Sequence, residues 1–143
     1  MKVKFHSFID KEHLVLEEEL FYHDDYLGFK DKTNEGYIYY KKEGQTLRFK
    51  RDGNAKMNLL FDPLNPTICH YENKLGLSFD MLVKTKRLIF EDKKIIIEYD
   101  YYLDGTFQSN VKLYLIIENT LEKIISSEFY KLLYEELKDQ KKY

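Results

Sequence analysis

The sequence predicts a mainly β protein: a single antiparallel β-barrel of about 8 to 10 strands with an added C-terminal amphipathic helix. Three observations predict it. Apolar and polar residues alternate with period two in short segments from Val3 to Glu118. Turn pairs such as Asp52-Gly53 and Asp104-Gly105 punctuate those segments. Past Asn119 the apolar spacing changes from two to three and four.

The 143 residues fit one domain, with the barrel over 1–118 and the helix and polar tail over 119–143 as part of the same unit. Thirteen tyrosines and ten phenylalanines, against a single alanine at Ala55, favour strands over helices.

The elements follow in order. Val3, Phe5, Ser7 and Ile9 share one side of a first strand. Leu14, Leu16, Glu18, Leu20 and Tyr22 form a second period-two series, and a short segment follows at Tyr26 to Phe29. Residues 35–42, EGYIYYKK, are strand-like on both faces. Gly44 turns the chain into TLRFKR, and Asp52-Gly53 turns it again into AKMNLLF. Pro63 and Pro66 mark a turn before TICHYE, residues 67–72. LSFDMLVKTKRLIFE, 77–91, is long enough for one bent strand or two.

The clearest alternation comes next. Ile95, Ile97, Tyr99, Tyr101 and Leu103 share one face, and Ile96, Glu98, Asp100, Tyr102 and Asp104 the other. After the Asp104-Gly105 hairpin, Phe107, Ser109, Val111, Leu113, Leu115 and Ile117 fall on one side. Leu121, Ile124, Ile125, Phe129, Leu132, Leu133 and Leu137 then form a helical stripe, with Asn119 or Thr120 as its N-cap. Such strands can build a barrel or a sandwich; closure removes the two exposed edges.

Composition narrows the function classes. A net charge of -2 gives no electrostatic footprint for nucleic acid, which is not an expected partner. Cys69 is the only cysteine, so no intrachain disulfide forms, and a reducing, cytoplasmic setting is the expectation. No apolar run is long enough to span a membrane as a helix. Charged residues at many outward positions also argue against an outer-membrane barrel. His6, His13, His23 and His70 have no metal-ligand spacing, and no phosphate loop, nucleophile elbow or HExxH is present. No cofactor or metal is expected, and no catalytic residue stands out.

The stretches RDG at 51–53, KTKRLIFE at 84–91 and IIIEYDYYLDGTFQSNVKLYLIIE at 95–118 resemble a family of small uncharacterised bacterial proteins, the YwiB-like DUF1934 family. Tyr71, Gly76 and Phe79 are similar to its middle segment. The resemblance covers most of 1–118 and implies a calycin-like, lipocalin-like β-barrel; the helix after it looks like an addition. It brings no established catalytic residue. The chain has no tryptophan, so the Gly-x-Trp of lipocalins is missing.

Six residues are candidate ligand contacts. Arg51 shares a face with Leu47 and Phe49, and Arg87 shares one with Val83, Thr85 and Ile89. On an inward face a guanidinium needs a partner, either a ligand anion or an internal acid such as Glu18. Tyr37, Tyr39, Tyr99 and Tyr101 can line a pocket or fill it. Cys69 and His70 are adjacent, so a strand points them to opposite faces and no thiol–imidazole pair is expected. Glu98, Asp100 and Asp104 read as a solvated or lysine-paired row.

Three functions compete. The first is noncatalytic binding of a small, largely apolar ligand with an anionic end. The second is an interaction module whose helix meets another protein or a second copy as a homodimer. The third is an enzyme of unidentified class, for which the sequence supplies no convergent polar set.

Overall fold

Alternation becomes a curved wall in the computed structural model, which describes residues 1–118. The helix expected at 119–143, and any dimer contact made through it, lie outside the described residues. The strands are β1 (Lys2–Ile9), β2 (Glu12–Glu19), β3 (Phe21–His23), β4 (Tyr26–Asp31), β5 (Gly36–Glu43) and β6 (Thr46–Asp52). They continue as β7 (Ala55–Phe61), β8 (Thr67–Asn73), β9 (Ser78–Glu91), β10 (Lys94–Leu103) and β11 (Thr106–Glu118). One short 3-10 turn, Lys32–Asn34, links β4 to β5.

All eleven strands belong to one antiparallel sheet in the order β2-β1-β11-β10-β9-β8-β7-β6-β5-β4-β3. The sheet edges, β2 and β3, are consecutive in the chain and separated only by Leu20. Before Leu20 the chain pairs with β1, and after it with β4. One continuous segment therefore stitches the two edges of a nearly closed barrel together. Lys32 reaches Glu18 at 3.0 Å across this seam, and the Phe5 and Phe29 rings meet inside it at 5.6 Å. The count of eleven exceeds the expected 8 to 10 because the 14–22 series breaks at Leu20 into two pairing partners.

The inward rows match the alternating apolar positions. Val3, Leu47, Phe61, Val83, Ile97 and Leu115 are essentially inaccessible to water. Each such side chain contributes about 1.5–3 kcal/mol of burial. Strand direction places most of these residues toward one end, where the 44–45 and 92–93 turns and the 62–66 loop lie. These side chains fill the core of that half, and an open pocket at its mouth is lined by Leu27, Tyr40, Phe90 and Ile95.

Two bulges break the period-two rule. Between β9 and β10 the register shifts at Glu98/Tyr99, so that Thr85 faces Tyr99 while Arg87 faces Glu98. Between β10 and β11 it shifts at Tyr101/Tyr102, so that Ser109 faces Tyr101 and Phe107 faces Tyr102. Gln108 is the extra residue. Phe107, expected on the core face, is instead 53% exposed.

Candidate functional site

The opposite half of the interior is not filled. A cavity of about 270 Å³ lies there, walled mainly by apolar side chains from β1, β2 and β6–β11. Its rim is formed by the turns at 10–11, 53–54, 74–77 and 104–105. Phe5, Phe49, Leu59 and Leu113 border the packed half, while Leu103, Phe79 and Gln108 stand toward the turns.

One side of the rim is tied down. The Asn34 side chain donates to the Ala55 carbonyl at 2.8 Å and accepts from the Ala55 amide at 2.7 Å. Asn54 N–H donates to the Asn34 carbonyl, and Lys74 N–H to the Asn54 carbonyl. Gly53 and Gly36 permit this approach, because a Cβ on Gly53 would strike the Asn34 carbonyl and one on Gly36 the Asp52 carbonyl. On the other side, the Ser109 hydroxyl donates to Asp10 at 2.8 Å.

Among the described residues Arg51 is the single charged side chain lining the cavity. Its Nε and Nη2 donate to one Asp31 oxygen at 3.0 and 2.7 Å, and Thr33 donates to the other at 3.0 Å. Asp31 is completely buried. The pair is neutral overall, so the internal acid expected as an alternative partner for Arg51 exists, though it is Asp31 and not Glu18. Among the described residues nothing hydrogen-bonds to Arg51 Nη1.

Among the described residues the remaining polar lining is the hydroxyls of Ser7, Tyr71, Tyr99 and Tyr101 and the amide of Gln108. Ser7 and Tyr99 are 8% and 7% exposed, line the cavity, and make no hydrogen bond with the described residues. Burial, then Cys69, push the Tyr99 phenol up, while the Arg51 charge opposes them. The phenol therefore stays a donor at physiological pH. Burial, then Asp10, raise Tyr101 as well.

Of the six candidate contacts, Arg51, Tyr99 and Tyr101 line the cavity. The other three do not. Arg87 is exposed on the outer wall, turned there by the β9 bulge. Tyr37 and Tyr39 also stand outside, because Ile38 and Tyr40 take the inward positions of β5. Tyr39 packs with Phe21 over the bare backbone of Gly28, where a Cβ would approach the rings to within 2.9 Å. Ser7, Met57, Met81, Tyr71, Phe79 and Gln108 line the cavity too and are not among the six candidate contacts. A serine within the apolar row Val3-Phe5-Ser7-Ile9 was the available signal.

Outside the barrel, Ser78 Oγ lies 3.1 Å from His70 Nε2, and His70 Nδ1 lies 2.7 Å from Asp80. The order resembles a nucleophile–base–orienter chain. The nearest turn amides are already committed: Leu75 and Leu77 N–H donate to Asn73 Oδ1, and Gly76 N–H to the Asn73 carbonyl. With those amides committed and all three side chains exposed, it reads among the described residues as a cross-strand polar network. Cys69 faces inward, away from His70, and burial pushes its thiol up to about 11. Asp100 is buried on the outer wall and paired with Lys86 at 3.0 Å and Asn110 at 2.8 Å. No three metal-ligating side chains cluster among the described residues, and no described helix is long and apolar enough to cross a membrane.

Fold and site together define a nearly closed antiparallel β-barrel with a cavity in one half of its interior. The chain belongs to the family described as "Domain of unknown function (DUF1934)", whose profile matches residues 13–115. It is also similar in structure to the ywiB protein from Bacillus subtilis, known from a crystal structure, with a TM-score of 0.50 and 17% sequence identity. That likeness covers 82% of this chain and 89% of the other, and it shows the fold alone. No curated protein matches the chain.

Proposed function

We propose that this protein is a noncatalytic barrel that takes up one small, largely apolar molecule through its open end. The observation that carries this reading is the half-empty interior. Natural interiors pack to crystal-like density, and a void of this size forfeits contacts that nearby apolar residues would otherwise supply. A cavity of about 150 Å³ lined by apolar side chains holds benzene. The larger volume here suits about ten to twelve non-hydrogen atoms, scaling from that case. Met57 and Met81 add adaptable, polarizable walls.

Asp31 modifies the expectation of an anionic end. It neutralises Arg51 before any ligand arrives, so net charge offers little attraction to an anion. A neutral acceptor fits the site as well as a carboxylate does.

Native mass spectrometry of protein isolated gently from its own cells tests the reading. A stoichiometric mass excess of a few hundred daltons or less, lost on denaturation, supports it. A bare chain under conditions that preserve known barrel–ligand complexes counts against it.

A further inference from the structure

The apolar walls explain why a small molecule enters, but they do not explain two hydroxyls. Ser7 and Tyr99 come from β1 and β10, and both are more than nine-tenths buried. Both line the cavity and have no partner among the described residues. Among the described residues the fully enclosed unpaired oxygens are those of Tyr40 and Thr85, so the Ser7 and Tyr99 oxygens keep surface toward the cavity, and a molecule that covers them without a hydrogen bond forfeits about 1–3 kcal/mol each.

Tyr40 sharpens the contrast. Its hydroxyl is fully enclosed and unpaired, and the residue lines a different, open pocket with Leu27, Phe90 and Ile95. At Tyr99 the hydroxyl borders free volume. Arg51 is close enough for its charge to act on the Tyr99 phenol, and its Nη1 is also unused by the described residues. Donor groups thus come from β1, β6 and β10, while the surrounding wall is apolar.

We infer that the bound molecule is amphipathic, with an oxygen acceptor such as a hydroxyl, carbonyl or carboxyl seated among Tyr99, Ser7 and Arg51 and its apolar body against the Met57, Met81 and Phe79 side of the cavity. This rests on the proposal that the cavity takes a ligand at all. Tyr99 and Ser7 are then specificity-determining residues, and Arg51 is held in place for the same task by Asp31. The asymmetry matters: a site built to hydrogen-bond an oxygen rejects the analogue lacking it, because its own buried groups are left unpaired.

The test uses naphthalene and 2-naphthol as probes, which differ by one hydroxyl and fit the volume. Binding to the full chain is measured by calorimetry for wild type, Tyr99→Phe and Ser7→Ala. Each substitution removes an oxygen and keeps the surrounding wall. Wild type is expected to prefer 2-naphthol, and Tyr99→Phe to weaken 2-naphthol about tenfold while leaving naphthalene unchanged or tighter. Ser7→Ala is expected to move the ratio in the same direction. Equal ratios in all three proteins overturn the inference while leaving the cavity reading intact. Failure of wild type to bind either probe overturns the cavity reading, and this inference with it.

Discussion

Arg51 places two N–H groups on a single oxygen of Asp31, at 3.0 and 2.7 Å, and so brings a buried carboxylate and the cavity's one charge into the same contact. Asp31 has no water contact, whereas the Arg51 side chain keeps 29% exposure. Breaking such a pair from one side leaves the other charge uncompensated, which is worse than removing both.

Asp31→Asn is therefore expected to destabilise the fold by about 3 kcal/mol, the lower end of the range for broken buried pairs because Arg51 retains some solvent. Urea unfolding measures this. The same variant frees the Arg51 charge and is expected to raise affinity for 2-naphthoate relative to 2-naphthol. Arg51→Met combined with Asp31→Leu is expected to recover much of the lost stability, since no lone charge remains.

Filling the cavity separates binding from folding. Met57 lines the hollow half and is only partly buried, so Met57→Trp adds volume where the structure has room. The expected result is at least a tenfold loss of naphthalene affinity, with the melting temperature changed by only a few degrees. A folded variant that still binds like wild type would contradict the assignment of the pocket.

The rim glycines behave differently from the turn glycines. Gly36→Ala and Gly53→Ala place a Cβ against backbone carbonyls, which cannot swing away, and each is expected to cost about 2 kcal/mol or more. Gly44 has φ +61 and open space around it, so Gly44→Asn is expected to cost less than about 1 kcal/mol. Thermal unfolding of the three variants checks the order.

Cys69 links stability to alkaline pH. Burial raises its thiol from 9.0 to about 11, so between those values the unfolded chain has lost this proton and the folded chain has kept it. Fewer protons on the unfolded state mean that stability falls as pH rises, by up to about 1.4 kcal/mol per pH unit inside that window. Below about pH 9 this group contributes no slope. Comparing urea unfolding of wild type and Cys69→Ala at pH 8 and pH 10.5 isolates the effect. The native thiol is also expected to resist iodoacetamide at pH 8 until the protein is unfolded.

Much of the barrel was legible because its strongest strands obey one simple rule. In β10, Ile97, Tyr99 and Tyr101 face inward as their spacing demands, and Arg51 was recognisable as a charge needing a partner. The partner itself was not legible. Asp31 lies twenty residues away on β4, with β5 between it and Arg51 on β6. Arg87 and Phe107 depart from the expected faces for a shared reason: one extra residue at a bulge reverses the side chains beyond it. Tyr37 and Tyr39 were ambiguous because β5 is aromatic on both faces, and the lack of a side chain at Gly28 draws Tyr39 to the outside. Emptiness was the least legible feature, since a row of tyrosines and methionines reads the same whether it fills a barrel or surrounds a space.

The claim that one half of the barrel is hollow and receptive, and the core of the other filled, is tested most directly by methyl NMR during a naphthalene titration. The account predicts saturable shifts at Met57 and Met81, with Leu47, Val83 and Leu115 in the packed half nearly unchanged. No saturable shift at Met57 and Met81, or shifts spread equally through both halves, would contradict it.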